Sequence, residues 1–315
     1  MRVLVTGVAG FIGFHVASRL LWEGHEVVGL DEMEPWTAEQ AELQKGRIDQ
    51  LCDYGKFEMI KDNLFCLSSY EPNVTHVIHL AAQAGVRHSI EHPHDYVDSN
   101  VSGFLEILEF VKAHKCENLV YASSSSVYGG ASNSPLVVGD PINRPRSLYA
   151  ATKACNELMA HSYGHLFDIP STGLRFFTVY GPWGRSDMFM YIMANKMLRG
   201  ESLPLFGGDQ SRDFTYVSDI VDGILKALDK PQVNAIYNLG SGQSVPIKKV
   251  IKYLAEDLDV KTDSLKIDIL ERQRADVKHS KASIAKTTLD LGWRPRVDIR
   301  HGVEKFAEWF LGKAP

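Results

Sequence analysis

The 315-residue chain lacks the marks of several protein classes. Its four cysteines, Cys52, Cys66, Cys116 and Cys155, are widely separated and form no CxxC pair, so neither a disulfide framework nor a cysteine-based zinc site is expected. No HExxH pattern occurs. His88, His92 and His94 surround Pro93 without partner cysteines and read as a solvated loop and helix start, so no metal is expected. Positive charge is not in excess: 34 basic against 39 acidic side chains leave a net charge of -5, which removes the usual footprint of a nucleic-acid binder. No apolar run approaches the ~18 residues of a membrane span, and Met1-Arg2 leads directly into Val3-Leu4-Val5 without a signal-like stretch. A cytoplasmic protein is expected. Repeats and low-complexity linkers are also missing.

What is present is ordinary globular composition, 44% hydrophobic and 23% charged, in a chain long enough for two lobes or one large domain. Val3 to Val5 reads as a buried strand, Phe11, Ile12, Val16, Ala17, Leu20 and Leu21 as a helix face, and Val27 to Leu30 as a second strand. Gly24 fits the stop between them. Further strands are expected at 77–80, 119–122 and 172–176, separated by segments long enough for crossover helices. That order predicts an α/β fold, a doubly wound parallel sheet of the Rossmann type. After Phe177 the rhythm breaks into turns around Gly181-Pro182-Trp183-Gly184 and Gly207-Gly208-Asp209. One strand, Ile236 to Leu239, rejoins the sheet, and a helix follows from about Ile247 to Leu258. The expected division is a dinucleotide-binding domain of 1–177 plus about 213–240, and a smaller substrate lobe of about 178–212 plus 241–315. The charged, poorly periodic segment 31–53 reads as a mobile excursion.

Gly7, Gly10 and Gly13 fall where a strand turns into a helix, so backbone N–H groups can approach a pyrophosphate and the helix terminus favours its charge. Phe11 and Ile12 complete that turn. Asp31 ends the second strand, where a carboxylate suits ribose hydroxyls and repels a 2'-phosphate, favouring NAD over NADP; a plain turn residue would stand there too. Asp62 is a candidate for the adenine edge. Leu80-Ala81-Ala82-Gln83 is small enough at a strand end for close approach to a dinucleotide, although helix packing uses the same residues. Tyr149 and Lys153, four apart, share one helix face, and an ammonium there would favour phenolate over a tyrosine starting near ~10; an exposed helical pair would look the same.

With these and the run Ala122-Ser123-Ser124-Ser125-Ser126-Val127-Tyr128-Gly129, the chain resembles the extended short-chain dehydrogenase/reductase family from end to end. Within it the chain is most similar to the UDP-glucuronate 4-epimerases, through Ala82-Gln83-Ala84-Gly85-Val86-Arg87 and Arg175-Phe176-Phe177-Thr178-Val179-Tyr180-Gly181-Pro182-Trp183-Gly184-Arg185; Arg212-Asp213-Phe214-Thr215-Tyr216-Val217 marks the wider family.

The resemblance implies that Tyr149 is the base, that Lys153 holds the nicotinamide ribose and lowers the Tyr149 pKa, and that Ser124 bonds the reacting hydroxyl. It implies Ser125 and Ser126 as the rest of that wall, Asn100 among the cofactor residues, Arg212 at the pyrophosphate, and Gln273 and Asp276 in the substrate loop. Ser126 replaces the acid of dehydratases and decarboxylases, and Thr178 replaces the asparagine of neutral-hexose epimerases. Thr178 with Arg87 or Arg185 would suit a sugar carboxylate; either arginine could equally be a structural salt-bridge former or a phosphate contact. Gln273-Arg274-Ala275-Asp276-Val277 departs from the usual Gln-Pro-Gly-Asp-Val. The implied activity is NAD-dependent inversion of C4 in a UDP-sugar, UDP-glucuronate to UDP-galacturonate, through a 4-keto sugar. UDP-glucuronate decarboxylase, UDP-glucose 4-epimerase and a non-catalytic NAD-binding regulator are the alternatives. A homodimer formed by helices at about 93–115 and 149–166 is the implied assembly.

Overall fold

The computed structural model describes residues 1–70, 72–131 and 134–312. Its centre is a sheet of seven parallel strands: β1 (Arg2–Thr6), β2 (Glu26–Leu30), β3 (Phe57–Ile60), β4 (His76–His79), β5 (Asn118–Ser124), β6 (Ser171–Phe176) and β7 (Ala235–Leu239). The spatial order is β7-β6-β5-β4-β1-β2-β3. Every residue of β4 and β6 is buried, as a sheet covered on both faces requires. The chain leaves β1 in one direction through β2 and β3, then crosses to β4 on the other side. The crevice beyond the carboxyl ends of β1 and β4 is the place where such a sheet opens to a ligand.

The expected strands and the late helix, here Ile247–Asp257, are present. Outside the main sheet, Thr178–Tyr180 pairs in parallel with Phe214–Tyr216, and Leu203–Phe206 with Ile267–Leu270. Ser211–Arg212 pairs antiparallel with Val245–Pro246. One apolar cluster runs from Val3 and Val5 through Ile220 to Leu254 and Phe306, so the sheet and the later helices share a core. No helix among the described residues is long and apolar enough to cross a membrane.

Segment 31–53 departs from expectation. Residues 38–52 form a helix (Ala38–Cys52) capped by the Thr37 hydroxyl, which accepts from Gln40 N. Only Arg47 and Leu51 of this helix are buried. An apolar stripe is therefore absent, and the periodicity that announces most helices is absent with it. A polar anchor, Arg47, replaces it.

Candidate active site

A cleft of about 600 Å³ opens at the carboxyl ends of the central strands. Its floor at one end is the glycine turn. Gly7 has φ +70, and a Cβ there would come within 2.7 Å of Ala81 N. A Cβ on Gly13 would be driven into the Gly7 carbonyl oxygen. These positions tolerate only glycine, and the helix Phe11–Trp22 that follows presents first-turn N–H groups to the cleft, so the turn fits a dinucleotide pyrophosphate. Gly10, Phe11, Ile12 and Leu80 to Gln83 all line the cleft. The Thr6 hydroxyl accepts from Leu80 N and Ala81 N at 3.3 and 3.2 Å, joining the ends of β1 and β4.

Asp31 lines the same end. Its two carboxylate oxygens accept from Ala9 N (3.0 Å) and Met33 N (2.9 Å), leaving further lone pairs for ribose hydroxyls. Burial pushes its pKa up, while those N–H groups and the Arg47 charge pull it down. Two expected cofactor residues lie elsewhere. Asp62 accepts from the Tyr70 hydroxyl and Asn63 N and does not line the cleft, because a partner eight residues on takes its carboxylate. Asn100 lies behind the floor: its amide exchanges two hydrogen bonds with the Gln83 backbone (2.8 and 3.0 Å) and donates to Thr152 Oγ1.

At the other end, the helix Leu148–Phe167 starts at the Ser147 cap and carries Tyr149 and Lys153 into the cleft. Lys153 Nζ donates to the Ala122 carbonyl at 2.9 Å, and burial lowers its pKa to about 8. Burial raises the Tyr149 pKa; the Ser124 hydroxyl bonded to it and the Arg185 charge pull it down. The Lys153 ammonium is directed to the Ala122 carbonyl, between Tyr149 and the strand end. Tyr96 meets Tyr149 edge-on with ring centroids 6.2 Å apart.

The wall of four serines also narrows. The Ser123 hydroxyl donates to Glu157 (2.5 Å), and Ser124 Oγ accepts from Ser126 N (3.1 Å). Ser125 and Ser126 open the 3₁₀ turn Ser125–Tyr128 and do not line the cleft, since the strand has already curled away. Thr178 and Arg185 do line it. Arg185 is held by Asp187 (2.9 and 2.5 Å) and by the Ala84 carbonyl (3.3 Å).

The other expected substrate residues gather elsewhere. Arg87 pairs with Asp276 at 3.5 Å and lies 4.1 Å over the Phe206 ring, beside a second cavity lined by Gln273, Arg272 and Arg274. Arg212 donates to the Ser211 and Lys278 carbonyls and lines neither cavity. Near Arg87, the ligating atoms of His88, Glu91 and His92 come within 4.8 Å of one another. The His88 ring stacks on Trp36 (4.0 Å) and His92 (4.3 Å), so the group is packed by ring faces.

Sequence reasoning missed three contributors. Arg175 forms a buried bidentate pair with Glu157 (2.8 and 2.7 Å), and its guanidinium sits 4.7 Å over the Tyr128 ring. Arg175 stands in a motif already noted, but nothing in the sequence names Glu157 as its partner. His15 is kept neutral by burial, with a pKa lowered to about 4, and its Nε2–H donates to the Pro182 carbonyl. Arg47 lines the cleft from a helix not foreseen; a lone arginine in a charged run gives no signal.

Three comparisons agree with this geometry. The model of the NAD dependent epimerase/dehydratase family matches residues 3–240. Protein CapI of Staphylococcus aureus is 38% identical, with 99% of this chain and 98% of that protein covered. UDP-glucuronate 4-epimerase 5 of Arabidopsis thaliana is 40% identical, with 99% of this chain and 76% of that protein covered. Among solved structures, UDP-glucuronic acid 4-epimerase from Bacillus cereus, in complex with UDP-glucuronic acid and NAD, superposes with a TM-score of 0.92 at 33% identity, covering 99% of both chains. The chain belongs to the NAD dependent epimerase/dehydratase family.

Proposed function

We propose that the protein is a UDP-glucuronate 4-epimerase, interconverting UDP-glucuronate and UDP-galacturonate with NAD. The observation that carries this reading is the buried Tyr149 hydroxyl, bonded by Ser124 and with Arg185 nearby, in the cleft whose far end is the glycine turn. Relatives and solved neighbours with this activity, at 33 to 40% identity along the whole chain, support it.

The glycine turn, Asp31, the 80–83 strip and Lys153 would hold the dinucleotide. When bound, the dinucleotide would supply the hydride acceptor and donor for C4 on the two faces of the sugar. Tyr149 accepts the proton of the sugar 4-hydroxyl and gives it back, with Ser124 holding that hydroxyl. Thr178 and Arg185 supply a donor and a charge to the C6 carboxylate, holding it out of line for loss of carbon dioxide from the keto sugar. Arg87, Gln273 and the neighbouring arginines receive the nucleotide end, with Asp276 holding Arg87. The division of labour runs between 1–177 plus about 213–240 for the dinucleotide and the remainder for the sugar nucleotide.

The assembly in this reading is a cytoplasmic homodimer. Leu158, Leu166 and Phe167 on the helix Leu148–Phe167 and Leu105 on Gly103–His114 are exposed apolar residues, and a second copy would cover them. Sedimentation should give twice the chain mass. Incubation with UDP-glucuronate followed by product NMR tests the activity: UDP-galacturonate is expected. A UDP-pentose would reassign the enzyme as a decarboxylase, and turnover of UDP-glucose alone would reassign it to neutral sugars.

A further inference from the structure

Arg47 is 2% exposed, and the Asp31 carboxylate acts on its charge without a direct contact. Its nitrogens are spent on backbone carbonyls of two separate segments. Nη1 donates to Ala9 O at 2.7 Å, inside the glycine turn. Nε and Nη2 donate to Trp183 O at 3.2 and 2.7 Å, and Nη2 also reaches Gly184 O at 3.4 Å. A buried cation whose hydrogen bonds all go to backbone carbonyls costs free energy unless it does something that packing alone cannot.

What it holds is unusual. Trp183 has φ +58, a left-handed conformation that a bulky residue adopts only when its surroundings enforce it. Three neighbours do so. His15 takes the Pro182 carbonyl, Arg47 takes those of Trp183 and Gly184, and Gly46 leaves room for the indole, which a Cβ would meet at 2.9 Å. The next residue is Arg185, which stands in the cleft and acts on Tyr149. On the opposite side of Arg47, Ala9 is also the residue whose N–H is taken by Asp31. The cofactor turn and the Arg185 loop therefore meet at one guanidinium.

We propose that Arg47 is a positioning residue, a strut that joins the dinucleotide turn to the Trp183–Arg185 loop and so fixes the charge facing Tyr149. The proposal rests on the epimerase reading for its kinetic consequence, though not for the strut itself. A planar fork suits the site because the three carbonyls lie on two segments on opposite sides of Arg47; the compact ammonium of lysine has donors enough but not the spread to reach both segments from one position. The groups facing Tyr149 in this arrangement are Ser124, Tyr96 and Arg185, with Lys153 on its own helix and Asp187 neutralising part of Arg185.

The test compares wild type, Arg47→Gln, Arg47→Lys and Gly46→Ala as full-length protein with NAD. In Arg47→Gln, kcat for UDP-glucuronate should fall roughly 100-fold, as misplacement of a group facing the reaction does, and KM should rise as well because Arg185 also meets the sugar carboxylate. The acid limb of the kcat profile should move up by about one pH unit, because Tyr149 loses a cation that favours phenolate. Arg47→Lys should recover part of kcat, and Gly46→Ala, which displaces Trp183 from the other side, should shift the limb in the same direction. An unchanged limb with kcat within threefold in Arg47→Gln overturns the strut. If that variant does not fold, an unmoved limb in Gly46→Ala overturns it. A substrate-free arm separates this inference from the assigned activity: adding NAD should slow amide exchange at 183–185 in wild type and not in Arg47→Gln or Gly46→Ala. Equal protection in all three overturns the strut even if UDP-glucuronate is not turned over.

Discussion

Two helices deliver buried cations to the same cleft by different means. Leu148–Phe167, which brings Lys153, buries small and polar residues along its length: Ala150, Thr152, Ala154, Asn156, Glu157, Ala160 and Gly164. Ala38–Cys52, which brings Arg47, buries only Arg47 and Leu51. The first is placed by close packing against the sheet, and its reactive side chains are its free end. The second is placed by the side chain it delivers. A helix of the second kind gains its position and its use from one residue, so the two cannot be altered separately.

The largest expected effect lies on the packed helix. Tyr149→Phe should lower kcat by about 10²–10⁴-fold while the protein keeps its NAD, since only the proton transfer is removed. Activity within tenfold of wild type would remove Tyr149 from the chemistry and with it the contrast between the two helices. Next is the anchor beneath that helix. Arg175→Met leaves Glu157 buried without its partner and should cost roughly 3–5 kcal/mol in denaturant unfolding. A loss under about 1 kcal/mol would mean that packing holds the helix without the ion pair.

The two cations themselves give the third comparison. The pKa of Lys153 in the folded protein is lowered to about 8 from 10.5, so between those values the unfolded chain binds a proton that the folded chain does not. Stability should therefore rise with pH across that window in the protein without NAD, by up to roughly 3 kcal/mol, and Lys153→Met should lack the rise. Equal slopes from pH 8 to 10 in both proteins would show that Lys153 is solvated. The smallest effect distinguishes the caps. Thr37→Ala and Ser147→Ala each remove the hydroxyl that accepts a first-turn N–H and should cost about 1 kcal/mol locally. The first should reduce NAD retention and the second kcat; the reverse pattern would exchange the roles assigned to the two helices.

Sequence legibility follows the same divide. The glycine turn could be read because a Cβ is excluded by backbone atoms, a demand that only one residue type meets. Tyr149 and Lys153 could be read because helical spacing brings them together without help from the rest of the fold. Lys153 does reach the cleft, but which groups tune Tyr149 depends on where the Ala122 carbonyl and Arg185 fall, and no local pattern carries that. Where Asp62 falls depends likewise on a partner the sequence does not name, Tyr70, which takes its carboxylate. Ser125 and Ser126 stand beyond the end of β5 at Ser124, a boundary that a run of four serines does not mark. Helix Ala38–Cys52 was illegible because its anchor is a single charged residue in a charged run.

Asn100 bears on how such a site can change over time. One amide side chain holds both backbone groups of Gln83 and the hydroxyl of Thr152, and the Asn100 backbone carbonyl accepts from the Asn156 side chain at 2.6 Å. Thr152 in turn donates to the Tyr149 carbonyl. The gap between the cofactor floor and the tyrosine helix is thus set by the length of one residue, as a gauge block sets a machine. Drift on either side has to be matched on the other, whereas the loops carrying Arg87 and Gln273 lie away from that gauge and can be rebuilt for a different nucleotide while the redox end stays in register.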